Sequence, residues 1–158
     1  MGYLQQLQDS PFTDWLLGSE SIWTYPLVLT LHTVGLAILV GSSVVIHLRL
    51  LDVGVDVPLD RLRPLYRFIW AGFALNLITG LMLFATKAAD HAVDPVFYIK
   101  LTSIFIALWL GQMAKRRILD PPVITLGDRM WARRIAFAGL ASWVVAIVSG
   151  RLMAYLGN

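Results

Sequence analysis

SIWTYPLVLTLHTVGLAILVGSSVVIHL, residues 21–48, holds no Asp, Glu, Lys or Arg in 28 consecutive positions. About 20 apolar residues are needed to cross the ~30 Å hydrocarbon core of a bilayer at ~1.5 Å of helical rise per residue. A helix buried in a water-soluble bundle would carry a polar stripe opposite its core face, and this stretch has none. It is therefore read as a membrane span. Three more follow: about 68–86, bounded by Arg67 and Lys87; about 95–114, interrupted only by Lys100; and about 135–156, which contains Arg151. With the first at about 22–48, the expected architecture is an all-α integral membrane four-helix bundle, one transmembrane domain over 1–158.

Composition agrees. Of 158 residues, 58% are apolar and 15% charged, where soluble domains have roughly half and a quarter; mean hydropathy is +0.69. The chain has no cysteine, which removes disulfides, iron–sulfur clusters, thiolate metal sites and covalent haem attachment. Small residues at four-residue spacing, Ala37/Gly41, Gly72/Asn76/Gly80 and Ala146/Gly150, suit close helix approach in lipid.

The basic residues set an expected orientation. Arg49, Arg61, Arg63 and Arg67 lie between spans one and two, and Lys115, Arg116, Arg117, Arg129, Arg133 and Arg134 between spans three and four; these are ten of the 13 Lys and Arg. The positive-inside rule places both loops in the cytoplasm and both termini outside. The net charge of +3 is then topological, and no nucleic-acid partner is expected. The segment before the first span carries Asp9, Asp14 and Glu20 but no Lys or Arg, unlike the basic start of a signal peptide. Its Tyr3, Leu4, Leu7, Phe12, Trp15, Leu16 and Leu17 suit an amphipathic segment on the outer surface, with an irregular cap over 13–17 as the other reading. Trp23, Trp70 and Trp131 fall near span ends, as an aromatic belt would; Trp109 and Trp143 fall deeper.

Ionisable groups inside a bilayer each cost roughly 2.5–3.5 kcal/mol on insertion scales and need a partner or a route to the interface. His32, Lys100 and Arg151 stand out, on three different spans and all in the same half of the membrane, while no Asp or Glu occurs in any span. A bound anion would balance the two cations. Haem b fits that inventory: an apolar ring, two propionates that pair with Lys or Arg, and an iron that takes a neutral imidazole. The reading is His32 on the iron, Lys100 and Arg151 at the propionates, and Gly35, one turn from His32, making room for a flat macrocycle. For the second axial position, Met82 and His91 are the candidates beside an open site. His47 lies two residues before Arg49 and reads as an interfacial residue. Paired-histidine binding of two haems needs four histidines, and the chain has three. Asn76 and Thr79 share a face with Gly72 and Gly80, as a packing seam or as donors to a ligand. The five methionines form no M-x-x-M or M-x-x-x-M cluster, which counts against copper(I) transport.

TYPLVLTLHTVGLAILVGSSVVIHLRLL at 24–51, FYIKL at 97–101 and SGRLMAYL at 149–156 resemble an uncharacterised group of small four-helix bacterial membrane proteins. More distantly, they resemble HemJ-type protoporphyrinogen oxidases and CopD-type membrane domains. The HemJ resemblance implies that a first-helix histidine and an early third-helix lysine act as a functional pair with haem b; His32 and Lys100 occupy those places. The N-terminal segment and the loop at 87–94 depart from that pattern.

The expected protein is a cytochrome b-like, metal-binding chain of a bacterial inner membrane, transferring electrons with a quinone or porphyrin and a redox partner protein. The alternatives are a HemJ-like protoporphyrinogen oxidase and a cofactor-free structural or assembly subunit. A homodimer through the Gly41 or Gly150 face is a further expectation.

Overall fold

The structure is a computed structural model that describes residues 2–18, 24–120 and 125–156. Glu20, Trp23 and the start expected for the first span lie outside the described residues. Seven α-helices are described: α1 (Gly2–Gln8), α2 (Pro11–Gly18), α3 (Tyr25–Leu50), α4 (Leu65–Thr86), α5 (Ala88–His91), α6 (Pro95–Ala114) and α7 (Leu126–Leu156). No strand occurs among the described residues. Helices α3, α4, α6 and α7 cover the four candidate spans.

Local chemistry fixes the ends. Asp94 caps α6 by accepting the Val96 N–H at 2.8 Å, with Pro95 following in the first turn, where its missing N–H costs nothing. Thr125 and Asp128 form a capping box at the start of α7: the Asp128 carboxylate accepts the Thr125 N–H at 3.1 Å and the Thr125 hydroxyl accepts the Asp128 N–H at 3.2 Å. Helix α3 stops in a Schellman-type turn. Val53 N–H donates to Leu48 O and Asp52 N–H to Arg49 O, with Asp52 at φ 66° in the position that usually takes glycine. Within α3, Thr30, Thr33 and Ser43 donate their hydroxyls to carbonyls four residues back, which satisfies polar groups that lipid cannot.

Two boundaries differ from the sequence expectation. Helix α4 begins at Leu65 rather than 68, and α7 at Leu126 rather than 135. In both cases arginines, Arg67 and then Arg129, Arg133 and Arg134, ride on helix. Charge ends the apolar span but not the backbone hydrogen-bond ladder. The N-terminal segment is two short helices, so the irregular cap over 13–17 is replaced by regular α2, with Thr13 and Leu16 buried and Phe12, Trp15 and Leu17 exposed.

The bundle is two hairpins. Helix α3 packs along α4, α6 packs along α7, and the pairs join through α3 and α7. At the α3–α4 crossing Gly35 faces Gly72, and a Cβ on Gly72 would lie 2.7 Å from Leu39 N and 2.9 Å from Gly35 O. Both helices touch backbone to backbone there. The buried cluster, including Leu39, Ile46, Tyr66, Ala107, Ala136 and Trp143, fills the middle of the bundle and the arginine-rich end. Outward faces are apolar, with Phe105 69% and Phe137 71% exposed, a surface suited to lipid rather than water.

At the arginine-rich end α4 and α6, with the segments flanking them, are tied. Tyr66 donates its hydroxyl to Gly111 O at 2.8 Å, the Lys115 ammonium sits 5.7 Å from the Tyr66 ring centroid, and the Arg63 guanidinium donates to Leu119 O at 2.6 and 3.0 Å. Removing one buried hydrogen bond costs about 1 kcal/mol. Tyr66→Phe is therefore expected to lower stability by about that amount in a detergent unfolding titration; an unchanged midpoint would show that the tie carries no energy.

Candidate functional site

His32, on α3, faces α4 across the termini-bearing half of the bundle. The Thr79 hydroxyl donates to Leu75 O at 2.7 Å, one turn back in its own helix, so its oxygen has only lone pairs left for His32 Nδ1 at 3.0 Å. With the Thr79 proton on Leu75 O, His32 would carry its own proton on Nδ1 and donate it to Thr79. Its Nε2 keeps an unshared pair. Asn76 fixes the backbone beneath by donating from Nδ2 to His32 O at 2.9 Å. Gly80 gives the ring its room, since a Cβ there would lie 3.2 Å from His32 Cε1. A ring nitrogen held by a second group while the other stays bare is how metal-ligating histidines are oriented.

Two clefts meet at His32 and Lys100. One, of about 360 Å³, is the more polar and lies at the termini-bearing end between Tyr25, Leu29, Leu83, Thr86, Lys87, His91, Gly150 and Met153. The other, of about 290 Å³, is apolar and lies between α4 and α6, walled by Phe73, Leu77, Leu81, Phe97, Leu101 and Ile104, with Asn76 on its floor. A smaller space of about 70 Å³ under Phe84, His91 and Phe97 touches His32 and Lys100 as well. The larger two approach or fall in the range of small-molecule pockets. Among the described residues Lys100 has no ion-pair or hydrogen-bond partner, and its Cε lies 3.6 Å from where a Cβ on Gly150 would be. No group of three or more His, Asp or Glu able to hold a metal ion is found among the described residues. A bare ion has no cage here, whereas a haem iron asks the protein for only one or two ligands.

The structure thus brings His32, Lys100 and His91 together. Gly35 instead lies against α4, where a Cβ would sit 3.0 Å from Asn76 N; the bulk it removes is at the helix crossing. Arg151 is exposed and Met82 half-buried, and neither lines these clefts. The methionine that does is Met153. Sequence reasoning used Lys87 to bound the second span and gave no role to Phe84, Phe97 or Met153; the FYIKL and SGRLMAYL segments contain two of these four, so proximity to Lys100 and Gly150 was the available signal. Trp143 is buried and Trp109 exposed.

His47 differs from expectation. It is 1% exposed, with Nδ1 2.6 Å from Ser43 O and Nε2 buried without a hydrogen-bond partner among the described residues. Its ring edge lies on the Cα of Gly139, where a Cβ would collide with Nε2. The missing side chain at 139 admits the imidazole into the core, a cross-helix complementarity that no spacing within one helix reveals.

His91 lies outside the spans, its ring 6.1 Å from Phe97 and 6.3 Å from Phe84. Burial first, and the charge of Lys87 next, push its imidazole below the usual 6.5, against smaller opposing pulls from Asp94 and Asp90; Lys100 adds a further push down. The unfolded chain therefore takes up this proton before the folded one as pH falls through 6.5, and folding loses stability in that window. Melting temperature is expected to fall less between pH 7 and 5 in His91→Gln than in wild type; parallel curves would contradict it. Compared with known proteins, the chain matches no family model, no curated protein and no solved structure.

Proposed function

We propose that this chain is a membrane-embedded b-type haem protein of a bacterial inner membrane. It transfers electrons between a membrane quinone or porphyrin and a redox partner, with both termini outside. The observation that carries the reading is the placement of His32, whose Nδ1 lies 3.0 Å from the Thr79 hydroxyl and whose ring borders two clefts shared with Lys100, a cation unpaired among the described residues. A proton held on Nδ1 by Thr79 would leave Nε2 a neutral lone pair. His32 would ligate the iron, and Lys100, which no acid among the described residues neutralises, would pair a propionate. His91 and Met153 line the same space and would contact the group beside His32. Haem supplies reversible one-electron chemistry at iron, at a potential set by ligands and burial. The chain's part is to keep the ring dry and hold the imidazole in one tautomer. Purified protein supplemented with haem should give a Soret band and a reduced-minus-oxidised α band; neither appearing would overturn the reading.

The polar cleft, bordered by Lys87 and Lys100, favours a second reading. It suits a porphyrin dicarboxylate held as substrate, as in a HemJ-like protoporphyrinogen oxidase. Growth of a strain lacking its own oxidase on this gene would support that activity, and failure despite membrane expression would exclude it.

A further inference from the structure

Helices α4 and α6 belong to different hairpins and are joined at two places far apart. At the arginine-rich end the tie is Tyr66 to Gly111. Near the termini-bearing end it is the stack of Phe84 on Phe97, ring centroids 5.2 Å apart and 24° from parallel. Tyr66 and Phe84 are about 27 Å apart along the helix axis at ~1.5 Å per residue. Between them lies the apolar cleft, whose walls run from Phe73 toward Phe84. The residues at its mouth are open to the surroundings of the bundle: Leu77 is 47%, Leu81 60% and Leu101 46% exposed. On a helix flank at this depth those surroundings are acyl chains. The floor is different in kind, with the Asn76 amide, the His32 imidazole and the Lys100 ammonium. The opening faces lipid and ends on a positive charge that no acid among the described residues neutralises.

We propose that the α4–α6 cleft is a lateral gateway through which a lipid-dissolved, flat amphiphile with carboxylate groups enters from the bilayer, anionic edge drawn to Lys100 and apolar body between the leucines. The occupant follows from charge and polarity: an apolar molecule gains nothing at Lys100, and a small hydrophilic anion has no route through acyl chains. With the ligand taken as haem, the gateway rests on the proposed function above. It adds that the ligand is loaded sideways rather than through the polar cleft at the termini-bearing end.

The chain has no native cysteine, so a pair introduced as Leu81→Cys and Leu101→Cys can be bridged across the mouth with a reducible bis-thiosulfonate. Haem uptake from liposomes is followed by growth of the Soret band. Bridging is expected to slow uptake at least tenfold, reduction of the bridge to restore it, and protein bridged after loading to keep its spectrum. Equal uptake by bridged and reduced protein would overturn the gateway while leaving haem binding intact. A Soret band absent from the reduced protein as well would overturn the haem reading instead. The gateway is then decided by a second probe, a bimane on Leu77→Cys quenched by a spin-labelled fatty acid. Quenching severalfold above that by the methyl ester of the same acid, and equal to it in Lys100→Gln, supports entry of a carboxylate amphiphile. No difference between acid and ester overturns it.

Discussion

His32→Ala is expected to abolish the Soret band of haem-supplemented protein while leaving the bundle folded. The side chain is only half-buried and its loss removes the contact to Thr79 and a backbone hydrogen bond at Asn76, so the cost in stability is about 1 kcal/mol for each. The cost to binding is far larger, because among the described residues no other imidazole in the clefts has a side-chain hydrogen-bond partner: His91 has ring contacts alone. Thr79→Ala tests the same point from one atom further out. Without the hydroxyl, Nδ1 loses its side-chain partner, and the loss of such an outer partner typically weakens metal binding 10–100-fold. Spectral titration with haem reads both. A His32→Ala protein with a wild-type spectrum would remove the histidine from the site, and a Thr79→Ala protein with wild-type affinity would remove the tautomer argument.

Gly72→Ala is expected to destabilise the protein by about 1–3 kcal/mol, the range for overpacking a close contact, or more. The added methyl meets Leu39 N at 2.7 Å and Gly35 O at 2.9 Å. Both are backbone atoms and cannot rotate away, so α3 and α4 must part, and His32 with them must leave Thr79. Gly35→Ala should cost less, since its two backbone approaches are 3.0 and 3.2 Å, each about 0.3 Å longer than those at Gly72. Gly41→Ala meets nothing within 4 Å and serves as the control. Unfolding midpoints in detergent should therefore rank Gly72→Ala below Gly35→Ala below Gly41→Ala, the last equal to wild type; a stable Gly72→Ala would refute the close crossing.

The architecture was legible because lipid imposes one strong rule: backbone groups must be satisfied within the segment and side chains must be apolar. The uncharged run before Arg49 needs no knowledge of its neighbours to be read as a helix. The pairing of His32 with Lys100 was legible too, since both are costly in lipid and lie at similar depth. What surrounds them was not. Gly35 is one turn from His32, and sequence spacing alone cannot distinguish a glycine that admits a ligand from one that admits a helix. Arg151 follows Gly150 by about 100° of rotation, which is enough to put Gly150 beside Lys100 and Arg151 on the exposed face. His47 shows the same limit, because its burial depends on Gly139, 92 positions away in the chain.

The Tyr66–Gly111 tie has a mechanical consequence. Because α4 and α6 belong to separate hairpins, parting of the Phe84–Phe97 stack at the far end would let the pair open like a clothes-peg whose pivot is Tyr66. Leu81 lies about 22 Å from that pivot along the axis. A tilt of about 5° there moves the leucines by ~2 Å, a displacement typical of small helix shifts between packed elements. Such a lever turns a seam into a gap with little disturbance of the packed core near its fulcrum. Substitutions at the clamped end would then set how wide the jaws open in the other leaflet.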